Sequence, residues 1–289
     1  MNGYDCSHPF QKDINTARVP ADFVIVKVGQ GYRYVNPQWK QMIDGALSAG
    51  KLGGLYYYGE GHDAKREADH FAELVRPYIG KVILAYDWEG TGNVLYRKKD
   101  GEAFVEAFMR RVYELTKVRP FLYINQGEAV RGNWAKVAKI SPLWLAQYKS
   151  SKVQAGYITP TGWGPLKHWK APEIWQYSSK GRLPGFGGNL DLDICYMTDA
   201  EWKAHALPES SGTELVVVNG VCMPILKKGM RDSKAVEIWQ GIIGVDTDGY
   251  FGPQTLEATL AYQRTHKSCG NPDGIVAKKS WTTGLEGSR

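Results

Sequence analysis

The chain has 289 residues, 43% of them hydrophobic, which is enough for two domains of ordinary size with packed cores and excludes a disordered chain. Its formal charge of +6 at pH 7 is a mild positive field that suits an anionic polymer, and no basic run resembles a nucleic-acid-binding arm. No apolar run approaches the roughly 18 residues of a membrane span, and Cys6, Cys195, Cys222 and Cys269 lack the Cys-x-x-Cys spacing of a metal site, so buried thiols are expected.

A short strand ends at Asp5, and a Pro-containing loop with a brief helical piece near residues 14–18 leads to the apolar strand 23–28, closed by Gly29 and Gly31. Pro37 opens a helix on which Met42, Ala46 and Ala49 recur at helical spacing. Residues 53–58 read as the next strand, followed by a helix over about 63–76 that Pro77 stops. Residues 82–90, Val-Ile-Leu-Ala-Tyr-Asp-Trp-Glu-Gly, begin as an apolar run without helical period, the pattern of a strand buried on both faces. A helix over 101–117 carries Phe104, Phe108, Val112 and Leu115 on one stripe; a strand at 121–124, a helix at 128–138 and a strand at 143–147 follow. After Tyr148, stretches rich in Gly and Pro lead to strands at 173–177 and 190–196, so the last strands are joined by loops. The fold class expected for residues 1–206 is therefore α/β, a modified TIM-like barrel of the (β/α)5(β)3 type. Closure of such a barrel would bring the strands of Cys6 and Cys195 side by side.

Residues 207–213, Leu-Pro-Glu-Ser-Ser-Gly-Thr, form the expected linker, and residues 214–289 a small, mainly α-helical domain. In the latter a strand is predicted at 215–218 and helices at 234–243 and 256–266. Residues 248–255 are echoed by 273–280, each an Asp-Gly turn, an apolar pair and a helix start.

The chemistry is sought where the strand at 82–90 ends. Asp87 and Glu89 stand two residues apart, and alternation along a strand sends both carboxylates to one face. Each raises the other's pKa, so one can keep a proton while its neighbour ionises, the pairing that glycoside hydrolysis requires. Standing alone, an Asp-x-Glu more often marks a solvated strand end. In a closed barrel, however, Asp5 and Asp191 join the same rim, and four clustered anions are retained only for function. Tyr56, Tyr123, Trp144, Tyr148 and Trp175 fall in or just after strands and are the candidates for stacking on pyranose rings.

Asp5-Cys-Ser7, residues 23–31, Gly54-Leu-Tyr56, Asp87-Trp-Glu89, Leu122-Tyr123, Trp144-Leu-Ala-Gln-Tyr148, Trp175-Gln-Tyr177 and Asp191-Leu-Asp193 occur in an order that resembles the family 25 glycoside hydrolases. This is the muramidase or lysozyme family common among bacteriophage endolysins, and the resemblance runs from residue 1 to about 202. It implies Glu89 as general acid and base with Asp87 beside it, and Asp5 and Asp191 as the other cavity carboxylates. The implied reaction is cleavage, with retention, of the β-1,4 bond between N-acetylmuramic acid and N-acetylglucosamine, the attacking group being a carboxylate or the substrate's own acetamido group. Two departures stand out: the family usually has Asn where Asp193 stands, and its early Gln falls one place before Gln11. Residues 226–285, with Leu-Lys-Lys-Gly229, Tyr262-Gln-Arg264 and Asp273-Gly-Ile, resemble the three-helix peptidoglycan-binding domain of wall hydrolases.

The resemblance implies bacterial cell-wall peptidoglycan as partner and neither cofactor nor metal. A monomer without nucleic-acid or membrane insertion is expected. Met1 leads straight into a polar, turn-rich stretch, which predicts synthesis in a host cytoplasm without a signal peptide and action on the wall. Two rivals stand beside this reading. A chitinase-like glycosidase also uses an Asp-Trp-Glu strand end but needs further Asp residues where Val82 and Ala85 stand; an inactive wall lectin would not need both acids.

Overall fold

A computed structural model of the chain describes residues 1–209, 215–219, 221–230 and 233–287. The chain forms two compact units, Met1–Pro208 and Glu209–Arg289. Of the expected linker, residues 210–213 lie outside the described residues, as does residue 214.

The first unit runs β1 (Asn2–Cys6), β2 (Phe23–Gln30), β3 (Tyr34–Val35), α1 (Trp39–Ser48), β4 (Leu52–Tyr58), α2 (Ala64–Val75), β5 (Val82–Asp87), α3 (Gly101–Thr116), β6 (Phe121–Asn125), α4 (Gln126–Arg131), β7 (Leu143–Ala146), β8 (Gln154–Ala155), β9 (Ile174–Arg182), β10 (Leu190–Cys195) and α5 (Asp199–Ala206). Strands pair in the order β1-β2-β4-β5-β6-β7-β9-β10, and β10 returns to β1, closing the eight-stranded barrel that the sequence predicts. All neighbours are parallel except β10, which is antiparallel to both β9 and β1. The start of β10 therefore shares a rim with the ends of the other strands.

Both faces of the barrel wall are buried, which is why its strands read as continuous apolar runs. On β2 and β5, Phe23, Ile25, Ile83 and Ala85 fill the interior with Phe121, Trp144 and Ile174, while Val24, Val26, Leu84 and Tyr86 pack outward under the helices. Gly3 on β1 is required by this packing, since a Cβ there would lie 2.4 Å from the Phe23 ring. Outside, Tyr86 stacks on Phe108 of α3 at 3.7 Å between ring centres. Glu67 of α2 is buried and accepts bonds from the backbone N–H of Glu60 and His62 and from the Tyr86 hydroxyl, which fixes the loop after β4 at the rim.

Helix α5 has no counterpart in the sequence reading. It opens with a capping box between Thr198 and Glu201, and its Trp202 closes the far end of the barrel, 4.8 Å from the Phe23 ring and donating to the Gly53 carbonyl at 3.1 Å. The helical piece expected at 14–18 is instead a run of turns, because Asn15 accepts from the Ala17 N–H and its carbonyl takes the Arg18 and Val19 N–H groups. The helix expected at 128–138 ends at Arg131, where Gly132 takes an extended conformation and turns follow. Cys6 and Cys195 are buried free thiols on adjacent strands, yet the antiparallel register sets them at opposite ends of the barrel, Cys195 beside Met1 and Cys6 beyond the Asp5–Asp191 pair.

In the second unit a hairpin of β11 (Leu215–Val218) and β12 (Val221–Pro224) precedes α6 (Lys234–Ile243), α7 (Pro253–Thr265) and α8 (Lys278–Gly287). Trp239, Trp281, Phe251, Leu226 and Val276 make the core. The internal echo is a repeated clamp. Gln240 donates to Asp248, the Tyr250 carbonyl and Thr255 and accepts from the Gly249 N–H; Gln263 does the same with Asp273, the Ile275 carbonyl, Ser280 and Gly274.

Candidate active site

Each acid reaches the rim for a reason of strand direction. Asp5 lies near the end of β1, Asp87 ends β5, and Glu89 follows two residues on; Asp191 lies at the start of the reversed β10, where its Cα partner is Asp5. The four carboxylates, with Tyr56, Tyr123, Trp144, Tyr148 and Gln176, line one cavity of about 130 Å³. That is smaller than the roughly 300–1,000 Å³ of an enclosed small-molecule pocket. Larger hollows on the outer surface, about 280 Å³ around Arg111 and about 460 Å³ beside residues 12–16, gather no comparable charge: Arg111 is already paired with Asp69 and Glu114.

Burial, then Glu89, holds the Asp87 carboxyl well above the usual carboxylate range, with Lys27 opposing. Glu89, half-buried at the mouth, is also raised by burial and pulled back by Lys27 and by the neighbouring Tyr123 hydroxyl. Asp191 is pushed up to about 7 by burial and by Glu89. Asp5 is raised by burial, Asp191 and Asp193, against the amide of Gln176, which donates to its Oδ2 at 2.6 Å. The Gln176 oxygen accepts in turn from the hydroxyls of Tyr123, at 2.7 Å, and Tyr148. Such a cluster holds protons near neutral pH that isolated carboxyls would have released, which is what acid catalysis of glycoside cleavage demands.

The aromatic residues divide into walls and rim. Tyr56, Tyr123 and Trp144 are almost fully buried and meet edge to face, with ring centres 4.7 Å apart for Tyr123 and Trp144. They shape the cavity and offer it edges. Tyr148, 46% exposed, stands at the mouth of the cavity. Trp175 is the correction: it points to the outer face of β9, is fully buried and donates to the Gln147 carbonyl, because Ile174 and Gln176 take the inward positions on that strand.

Two residues of the site escaped the sequence reading. Gln176 is one. Lys27 is the other, the third inward residue of β2 after Phe23 and Ile25; it faces Asp87, Glu89 and Glu60, donates to Gln30 and lies 4.6 Å over the Tyr58 ring. Burial pushes its ammonium below the ordinary lysine range. The available signal was a single lysine in phase with apolar inward positions. Gln11 ties the loop after β1 to the rim, accepting from the Ser7 N–H and donating to the Asn189 carbonyl. Among the described residues, no group of three or more His, Cys, Asp or Glu side chains is arranged to hold a metal ion.

The family model for glycosyl hydrolases family 25 matches residues 4–186. An autolytic lysozyme of Clostridium acetobutylicum is 24% identical over 275 residues, covering 92% of this chain and 71% of that protein. An N,O-diacetylmuramidase of Chalaropsis is 26% identical over 210 residues, covering 66% of this chain and 96% of that protein. The crystal structure of a Streptomyces coelicolor lysozyme superposes with a TM-score of 0.60 at 23% identity, covering 71% of this chain and 96% of that one. With its acids gathered on one rim of an eight-stranded barrel and the matching stretch spanning most of that barrel, the chain belongs to family 25 of the glycosyl hydrolases.

Proposed function

We propose that the enzyme is a muramidase that cuts the β-1,4 bond between N-acetylmuramic acid and N-acetylglucosamine in bacterial peptidoglycan, with retention. The observation that carries this reading is the pair of Asp87 and Glu89, both raised, lining one cavity with Asp5 and Asp191. With both carboxyls raised, one of them keeps a proton; Glu89, the less buried member, reaches the glycosidic oxygen and delivers it. Lys27 keeps the remaining charge from forcing a second proton onto the pair. Asp191 and Asp5 then face the positive charge that develops on the sugar. The attacking group is a carboxylate or the substrate's acetamido oxygen. Tyr148 supplies the stacking face at the rim.

In this reading the barrel, residues 1–206, is catalytic, and residues 214–289 hold the enzyme to the wall beyond a short linker. The relative that spans 92% of the chain is an autolytic lysozyme, which favours a wall-lytic role for the whole chain. An endolysin, made in a host cytoplasm and acting as a monomer on the wall, is the form proposed. No helix among the described residues is long and apolar enough to cross a membrane.

The test is digestion of purified peptidoglycan, borohydride reduction of the new ends and identification of the reduced sugar. Reduced N-acetylmuramic acid is expected. Reduced N-acetylglucosamine, or equal action on chitin, would assign the cavity to another glycosidase, and no new ends would leave a wall lectin. Residues 1–208 alone are expected to remain soluble and active on soluble fragments while sedimenting less with whole walls; unimpaired sedimentation would remove the attachment role.

A further inference from the structure

Asp193 is a fully buried carboxyl that does not line the cavity. It lies on β10 two residues beyond Asp191, opposite Gly3 of β1 and pointing into the barrel. Its Oδ1 accepts from the Trp144 indole at 2.8 Å, while its Oδ2 is buried with no donor to meet. The groups that face it are Asp5 from β1, at hydrogen-bonding contact, Asp191 and Cys195 from its own strand, Tyr177 from β9, Tyr157 from the loop after β8 and Trp144 from β7. None of these is a cation. Lys27, the cation of the site, faces Asp87, Glu89 and Glu60 instead.

Two carboxylates in contact away from water and without a cation repel, and each offers only acceptors. One proton between them reverses both problems. It gives the Asp193 Oδ2 its missing partner and converts a like-charge contact into a short, charge-assisted hydrogen bond. Asp5 is then held on two sides, by Gln176 at 2.6 Å and by Asp193.

We propose that Asp193 and Asp5 share a single proton beneath the cavity, and that Asp193 is thereby a positioning residue that aims Asp5 at the substrate. The inference rests on the reading of Asp5 as a working carboxylate of the muramidase. Burial first, and the neighbouring Asp191, raise the Asp193 carboxyl well above the usual range, in keeping with a retained proton. When that proton leaves, the two acids repel and Asp5 loses its aim, so activity falls on the alkaline side.

The experiment uses the full chain with Asp193→Asn and Asp193→Leu. Asparagine keeps an acceptor for Trp144 and offers a permanent N–H to Asp5; leucine does neither. At neutral pH the infrared spectrum of wild type should show one more protonated carboxyl than that of Asp193→Asn, in which those of the other raised acids remain. Its unfolding constant should rise tenfold more per pH unit than that of Asp193→Asn above the ordinary carboxylate range, because unfolding releases one more proton. Activity of Asp193→Asn should match wild type at acid pH and persist further into the alkaline range, while Asp193→Leu loses kcat at every pH or fails to fold. An unchanged infrared band and stability slope in Asp193→Asn would overturn the shared proton. A folded Asp193→Leu as active as Asp193→Asn would overturn the positioning role. The infrared and unfolding readouts need no substrate, so they decide the shared proton even if the chain cuts some other glycoside.

Discussion

Replacing Glu89 by glutamine separates chemistry from fold in this site. The amide has the shape of the acid and can still lie beside Tyr123, but it has no acidic proton to give to a leaving oxygen. It also removes a like charge that raises both Asp87 and Asp191, so folding should be undisturbed or slightly favoured, and Asp191 should titrate below its present value of about 7. General acid catalysis typically contributes about 10²–10⁴-fold, which at about 1.36 kcal/mol per factor of ten is roughly 2.7–5.4 kcal/mol of barrier. The assay is the rate of new reducing ends from peptidoglycan across pH, beside a thermal melt of the same samples. First-turnover release of an aryl leaving group that needs no proton should lose far less, because the acid is then idle in that step. Turnover of peptidoglycan by Glu89→Gln within about tenfold of wild type, with an intact melt, would refute the assignment of the acid.

Lys27→Met removes the cation that lowers both Asp87 and Glu89, so both limbs of the pH–rate profile should move to higher pH; limbs that stay in place would mean that Lys27 does not act on the pair. Trp202→Ala empties the far end of the barrel, where the indole is fully buried and bonded to Gly53; a loss of about 3–5 kcal/mol is expected in urea unfolding, and under about 1 kcal/mol would mean that α5 is not a plug. The raised carboxyls also set how stability varies with pH. Asp191 keeps a proton in the fold up to about 7 that the unfolded chain gives up near pH 4, so unfolding releases a proton between those values. Its contribution is complete below the window, falls by about 1.4 kcal/mol per pH unit within it and is gone above. Urea midpoints that rise from pH 4 to 7 would contradict the burial of these acids.

Much of the fold was legible because a barrel wall buried on both faces leaves a strong mark: runs such as residues 23–28 and 82–86 have no helical period and are too short for helices. The placement of Asp191 was also within reach. The connection before it, residues 183–189, is Gly- and Pro-rich and too short for the crossover that a parallel strand needs, so β10 must reverse and begin at the working rim. What stayed hidden depends on contacts that no local pattern announces. Helix α5 carries little amphipathic signal because Trp202 alone supplies most of its burial, although Thr198-Asp-Ala-Glu201 did spell a capping box.

The site was legible at its acids and illegible at the residues that tune them, for one reason. A carboxylate pair at a strand end is conspicuous by composition, whereas the inward face of a doubly buried strand is a matter of phase, and phase requires register. The ladder supplies it: Asp87 pairs with Tyr123, Tyr123 with Trp144, and Trp144 with Ile174, all inward, so two residues on the inward position is Gln176 and Trp175 must face out. The same parity along β2 carries Phe23 and Ile25 up to Lys27. An apolar residue at either place would pack as well but would leave Asp5 without its 2.6 Å donor and Asp87 and Glu89 without a countercharge. Packing therefore does not select these two polar side chains; the need to keep clustered acids aimed and only partly charged does.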